Sequence, residues 1–391
     1  MRRLGIIAAV ALSATALSAC GTTAPKAELR GHQGTVREIP WSLVDSKWTL
    51  AMWSPVKEAT SAAAQHKATS LFVVDPVGGR YLVGHFAPAS SLMTWSYSLH
   101  RAVLDSWTNA GETFITVDVT SGRVIARWHV GTDTVDHLAF FDAAGHTLLA
   151  SVAPESNVSS PVLEQRNLSG RILKIFTSTF TPYGPLGGSF AASTNFELIA
   201  AAAGTVPSGV NFAPSVVVFY SSHAKVQRTV KLENLDRCAV LRWWNASSVL
   251  LECSSRSSYL RPSLYTVSTA GVTQTLTGEP AGNGLEGDVN GWKLTSGLYM
   301  QEVGYCGEYI VKYRSDNSRT VLKVPLVTGD ETAALGATKS ELLIMSTVGC
   351  GPGQSILWYN PQRGRSVIVL GSPLNGGSVV SALVNPRNAT S

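Results

Sequence analysis

Four of the five cysteines in this chain, Cys238, Cys253, Cys306 and Cys350, form an even set whose spacing bears on covalent chemistry. No pair has C-x-x-C spacing and no histidine lies close in sequence, so the pattern favours disulfides over a metal cage. Four cysteines allow three connectivities. Cys238 and Cys253 flank a hydrophobic stretch containing Trp243 and Trp244. It reads as a hairpin whose adjacent strands bring the two sulfurs face to face. Cys306 and Cys350 then pair by elimination, between neighbouring structural units.

Other candidate chemistry is sparse. Gly282, Gly284 and Gly287 fit the G-x-G-x-x-G pattern that cradles a pyrophosphate, but Pro280 precedes them and a strand-like segment, 288–294, follows. The pattern needs a strand before it and a helix after it, so the reading is a loop between two units. No G-x-S-x-G elbow, H-E-x-x-H pair or EF-hand aspartate ladder occurs. The histidines are scattered one per segment, and Asp136 and His137, the one adjacent acid and histidine, read as a loop pair. No catalytic, cofactor-binding or metal-ligating residue is assigned from the sequence, and no cofactor is expected.

Cys20 stands apart. Arg2 and Arg3 open the chain, residues 4–16 are almost wholly apolar, and Leu17, Ser18 and Ala19 precede the cysteine. A positive n-region, an apolar core and small residues before Cys make up a bacterial lipoprotein signal with its lipobox. Such a signal has its cysteine sulfur acylated and the preceding peptide removed. The apolar run is shorter than the ~20 residues a spanning helix needs. The expected organisation is a signal peptide over 1–19, a lipidated tether over 20–40, and one domain over 41–391. The expected location is extracytoplasmic, held by lipid on Cys20 to the outer face of the cell membrane.

Without Arg2 and Arg3 the chain carries 29 basic and 26 acidic residues, and they form no runs. That distribution argues against a nucleic-acid partner. Charged residues make up only 15%, while Val, Leu, Ser, Thr and Gly abound. Such a composition favours strands and turns over helices.

The elements that must position any site emerge from self-similarity. A turn-leading aromatic, a polar break and an apolar strand recur around Trp95, Phe141, Phe190, Trp243, Trp292 and residues 334–344. The starts fall roughly 40 to 50 residues apart, the spacing of four-stranded propeller blades. Each copy leads into a strand pair joined by a polar or Gly turn, clearest over 114–128 around Thr120, Ser121 and Gly122. The repeat predicts an all-β propeller of seven four-stranded blades, at 41–86, 90–130, 135–177, 182–232, 237–278, 287–325 and 333–372. A final strand at 377–384 is left to pair near Trp41 to Trp53 and close the ring.

The chain resembles the actinobacterial TolB-like β-propeller lipoproteins. Residues 238–244, 287–292, 296–299, 306–309, 348–351, 357–361 and 373–377 carry the likeness, and Trp95, Ser96 and 71–79 match the general propeller repeat. The resemblance implies a propeller fold and an extracytoplasmic setting. The chain differs from the periplasmic protein of the Tol system in having a lipobox and no evident α/β domain before the propeller.

Together these readings give a lipid-anchored, non-enzymatic binding or scaffold module of the cell envelope. Its partner would be another envelope protein or a polymer. The alternative is a propeller hydrolase or lyase with its site assembled on the central axis. Trp95, Trp243, Trp244, Trp292 and Trp358 are read as blade packing, and Trp48, Trp53 and Trp107 as candidates for a binding rim.

Overall fold

Alternating Val, Ile and Thr around a polar turn is the local rule, and the strands Gly111–Asp118 and Val124–His129 show why it folds. Between them, Asp118 Oδ1 accepts hydrogen bonds from the N–H groups of Thr120 and Ser121 at 3.0 and 2.9 Å and from the Thr120 hydroxyl at 2.7 Å. The turn is thus held by its own side chain. Gly122 takes φ +73° there, and a Cβ would fall 2.1 Å from the Val83 carbonyl oxygen of the preceding hairpin. A side chain is excluded twice, by the backbone conformation and by the neighbour.

The computed structural model describes residues 32–56, 67–88, 90–108, 111–153, 161–176, 186–203, 215–255, 258–278, 285–304, 307–325, 327, 331–347 and 353–388. Within them such hairpins build seven antiparallel sheets arranged as a ring. Blades 2 to 7 occupy 91–129, 134–176, 186–232, 235–275, 285–321 and 331–371, each with four strands in chain order. No α-helix occurs among the described residues, only short 3-10 turns. The chain is an all-β, seven-bladed propeller, as the repeat predicts.

Blade 1 is built from both ends of the chain. Its order is Gln33–Thr35, Arg80–Phe86, Thr69–Val74, Thr49–Ser54 and Ser378–Val384. The late strand Ser378–Val384 is innermost, antiparallel to Thr49–Ser54, with Leu383 opposite Leu50 and Ala382 opposite Ala51. Gln33–Thr35 adds a fifth, parallel strand on the outer edge, and Val36 and Ile39 behind it are buried. Part of the span assigned to the tether in the sequence reading therefore packs on the ring. Side chains rivet the seam: Trp53 Nε1 donates to the Gly376 carbonyl at 2.9 Å, and Trp358 Nε1 donates to that of Lys47 at 2.9 Å. Lys47 and Glu341 pair at 2.6 Å beside them.

The core lies between blades. Val379 and Ala382 of the closing strand pack with Leu343, Ile356, Trp358 and Val369 of blade 7. Trp292, Tyr299 and Ile310 of blade 6 pack with Ala334, Leu342 and Leu357 of blade 7. Trp95, Trp243, Trp292 and Trp358 are buried, as expected of blade packing, and Trp244 is half-buried. Two rim candidates are corrected by their surroundings. Trp48 is buried and stacks on Tyr81, and Trp53 is half-buried in the blade 1 seam, whereas Trp107 is 54% exposed.

Cys238 and Cys253 form a disulfide across the two inner strands of blade 5, within the apolar layer shared with blade 4. Cys20, Cys306 and Cys350 lie outside the described residues. Gly287 belongs to the inner strand Leu285–Leu294, so a strand and not a helix follows the glycine pattern. Gly282 and Gly284 lie outside the described residues.

Candidate functional site

Seven inner strands surround the axis, and every one of them has a register break against its neighbour. In six the extra residue is defined: Val380, Met93, Asp136, Leu241, Val289 and Leu335. A bulge re-aims the side chains beside it. The residues that follow these bulges are Ser381, Thr94, His137, Arg242, Asn290 and Gly336. A collar of polar or small residues therefore recurs at one structural position inside strands that are otherwise apolar.

Two inner-strand serines, one of them the collar's Ser381, hold the ring together. Ser381 Oγ accepts the Leu92 N–H of blade 2 at 2.8 Å, and Ser189 of blade 4 accepts the Val240 N–H of blade 5 at 2.9 Å. His137 is different. It is exposed to water although it sits on an innermost strand, with its ring edge-on to Phe190 at 4.6 Å. The surrounding protein still desolvates it and holds its pKa below the ordinary histidine value. Asp136 and His137 are thus strand residues facing the axis, not the loop pair read from sequence.

Arg242 is the most unusual member. Its Nη1 donates to Asn290 Oδ1 of blade 6, and its guanidinium lies 5.8 Å from the Trp244 ring centre and 5.2 Å from that of Trp292. Trp292 packs toward blade 7. The arginine therefore reaches from blade 5 across the inner edge of blade 6. Burial lowers its pKa to about 10. No carboxylate pairs with it among the described residues.

Side chains from separate blades meet at one end of the inner strands. The inner turns of blades 2 and 4 bring Tyr97 and Phe196 edge-on at 6.3 Å, beneath the inner end of blade 3. Arg387, just past the closing strand, donates from Nε to the Tyr97 carbonyl at 3.1 Å and sits 5.9 Å from its ring centre. Asp136 and Arg237 stand near the starts of their inner strands, toward the opposite end.

Buried carboxylates tie strands together, some within a blade and some between blades. Glu112 Oε2 accepts the Val135 N–H of blade 3 at 3.2 Å, and Asp105 Oδ1 accepts the Ser91 N–H at 3.1 Å. Gln301 joins Glu308 to blade 7 by accepting the Ala334 N–H at 2.9 Å while donating to Glu308 Oε2. In blade 6, Arg319 Nη2 pairs with Asp288 Oδ2 at 2.9 Å, and Arg319 Nε lies 3.3 Å from Glu302 Oε1. The second contact attracts but is not aligned as a hydrogen bond, so both Glu302 oxygens go without one. One cation thus serves two fully buried acids.

Burial accordingly pushes the Glu302 carboxyl up to about 7, with Arg319 opposing and Asp288 reinforcing the shift. A carboxyl whose pKa rises on folding stabilises the fold while protonated. That contribution is present below the unfolded pKa of about 4.3 and is lost as pH climbs toward 7. Glu302→Gln should therefore match the parent near about pH 4 and exceed it by about 1–3 kcal/mol near about pH 8, read from urea midpoints. Parallel profiles for the two proteins would refute this.

No protein-family model matches the chain, and no curated protein matches its sequence. Solved structures do match. A prolyl endopeptidase aligns over 88% of this chain and 51% of its own, at 11% identity and a TM-score of 0.54. The chain spans about half the length of that enzyme. The β-propeller domain of the Trilobed protease from Pyrococcus furiosus, described as having an open velcro topology, aligns over 78% of this chain and 91% of its own, at 7% identity and a TM-score of 0.52. TolB from Acinetobacter baumannii aligns over 87% of this chain and 67% of its own, at 11% identity and a TM-score of 0.45. The fold is what the first two of these share with it. At such identities the likeness extends to no site.

Spacing does not reveal the collar, because its members lie in different repeats. A signal was present: aligning the copies on Trp95 and Trp243 puts Thr94 and Arg242 in one column, polar inside an apolar strand.

Proposed function

We propose that this chain is a lipid-anchored, extracytoplasmic binding module of the cell envelope, tethered through Cys20 and presenting its propeller to an envelope protein or polymer. The observation that carries the binding reading is the division of labour among its polar groups. Glu112, Asp288, Glu302 and Glu308, four of the carboxyls that burial raises, are engaged in or beside contacts that tie strands and blades together. His137 and Arg242, on the axis, are the groups left facing a ligand. The leader preceding Cys20 supports the anchor and the location.

The test is metabolic labelling with an alkyne palmitate, with in-cell cross-linking and metal analysis of the same preparations. The full chain should take up label and cross-link to a discrete envelope partner. The Cys20→Ser chain should lose both. Equal labelling of Cys20→Ser refutes the anchor. Stoichiometric metal with no cross-linked partner refutes the binding reading in favour of an axial enzyme.

A further inference from the structure

Arg242 is a cation installed without a counter-charge. A guanidinium has five N–H donors in a planar fork. Here Nη1 donates to a neutral amide oxygen, Asn290 Oδ1, which also accepts the Gly291 N–H at 2.9 Å and is thereby fixed. Asn290 orients the fork without neutralising it. Of the other half-buried arginines with comparable aromatic neighbours, Arg166 and Arg319 each have a carboxylate, Glu164 at 2.5 Å and Asp288 at 2.9 Å, whereas Arg80, between Trp53 and Phe72 in blade 1 and away from the inner strands, has none among the described residues. Arg242 has indole rings on its flanks and no acid.

Desolvating a cation beside tryptophan faces is tolerated because the ring quadrupole attracts it, but that attraction is only about 0.5–2 kcal/mol. An incoming anion would gain far more, since charge-assisted bidentate bonds strengthen where water is scarce. Half-burial leaves the guanidinium reachable from the axis. Tyr97, Phe196 and Arg387 gather just past the ends of their inner strands, as the Asn245 turn does, so the opposite end is the less encumbered approach. From Leu235 to Arg242 the strand descends roughly 20 Å at the usual rise per residue.

We propose that Arg242, oriented by Asn290 and framed by Trp244 and Trp292, is a carboxylate-binding site at the base of the axial channel. A carboxylate suits it better than a phosphate, because a single guanidinium matches one negative charge and the planar fork matches two coplanar oxygens. The carboxylate arrives on a small organic acid or on the free end of a narrow chain. This deepens the binding-module reading and rests on it. The experiment below reads the site alone, so its failure is separable from a failure of lipid labelling or partner capture.

The full chain labelled with 5-fluorotryptophan reports directly, with the Trp244 and Trp292 fluorine resonances assigned through Trp244→Phe and Trp292→Phe. Sodium acetate at constant ionic strength should move both resonances saturably. Chloride and inorganic phosphate should act at least about tenfold more weakly. Arg242→Lys should weaken acetate about tenfold, and Arg242→Gln should abolish the saturable shift. A short peptide that acts with a free carboxyl terminus and not when amidated identifies a chain end as the source, and a response to acetate alone identifies a small acid. Absence of a saturable shift in the parent protein overturns the site without recourse to any variant. So does an equal response to chloride, or a response retained by a folded Arg242→Gln.

Discussion

A chain ending at Ser372, and so lacking the closing strand Ser378–Val384, is expected to show no cooperative unfolding transition. The loss has two parts. Val379 and Ala382 leave an apolar layer shared with Leu343, Ile356, Trp358 and Val369, and Thr49–Ser54 loses the partner along its whole inner edge. Each large buried apolar side chain is worth about 1.5–3 kcal/mol on burial. The paired strand contributes several such groups as well as its hydrogen bonds, against a total stability of about 5–15 kcal/mol for a domain. Near-ultraviolet circular dichroism and urea titration of the truncated chain, with and without a synthetic peptide spanning residues 373–388, test the expectation. Recovery of the transition by the peptide would place the defect at the seam. A truncated chain within about 1 kcal/mol of the parent would mean that the ring holds without closure.

Arg319→Leu is expected to cost about 3–5 kcal/mol near neutral pH, the loss typical when one member of a buried ionic group is removed. The substitution leaves Asp288 and Glu302, both fully buried, facing each other without a cation, and frees the Gly278 carbonyl that Arg319 Nη2 reaches at 2.8 Å. Both acids already stand above their ordinary pKa through burial, and Arg319 is what pulls each back down. Without it they rise further, so the cost should shrink in acid, where both are neutral. Replacing the whole group, with Asp288→Leu and Glu302→Leu added to Arg319→Met, should recover most of the loss. Urea midpoints at two pH values decide. A penalty that does not depend on pH would make Arg319 a packing residue only.

The ring was legible in the sequence because its unit repeats: Trp95, Trp243 and Trp292 mark the same buried place in blades 2, 5 and 6. Pairing of Cys238 with Cys253 was legible because hairpin partners are close along the chain. Contacts that join distant strands were not. Asp288 and Arg319 stand 31 residues apart in one blade, and Arg242 and Asn290 stand 48 apart in two. No periodicity encodes such a pair, and Arg242 and Asn290 each follow a bulge that interrupts the alternation of its own strand. Trp48 shows the reverse error, since it lies outside the clear repeat yet is buried against Tyr81 by the extra strand that packs on blade 1. Asp136 and His137 looked like loop residues because a bulge breaks the two-residue alternation that marks a strand.

The seam in blade 1 joins groups 323 residues apart in the chain, Trp53 and the Gly376 carbonyl. Contacts of such separation form late, after the cost of closing a long loop has been met. The strands of blade 1 that emerge early must therefore wait, with Leu50 and Met52 uncovered on the side of their missing partner, until nearly all of the chain has been made. The same segment that completes the sheet also carries Arg387 to Tyr97, on the inner turn of blade 2. Sealing of the circle and docking of Arg387 on the blade 2 turn are a single step, and it waits for the last part of the chain. A chain interrupted before residue 378 would expose a long apolar edge, a natural substrate for chaperones and proteases.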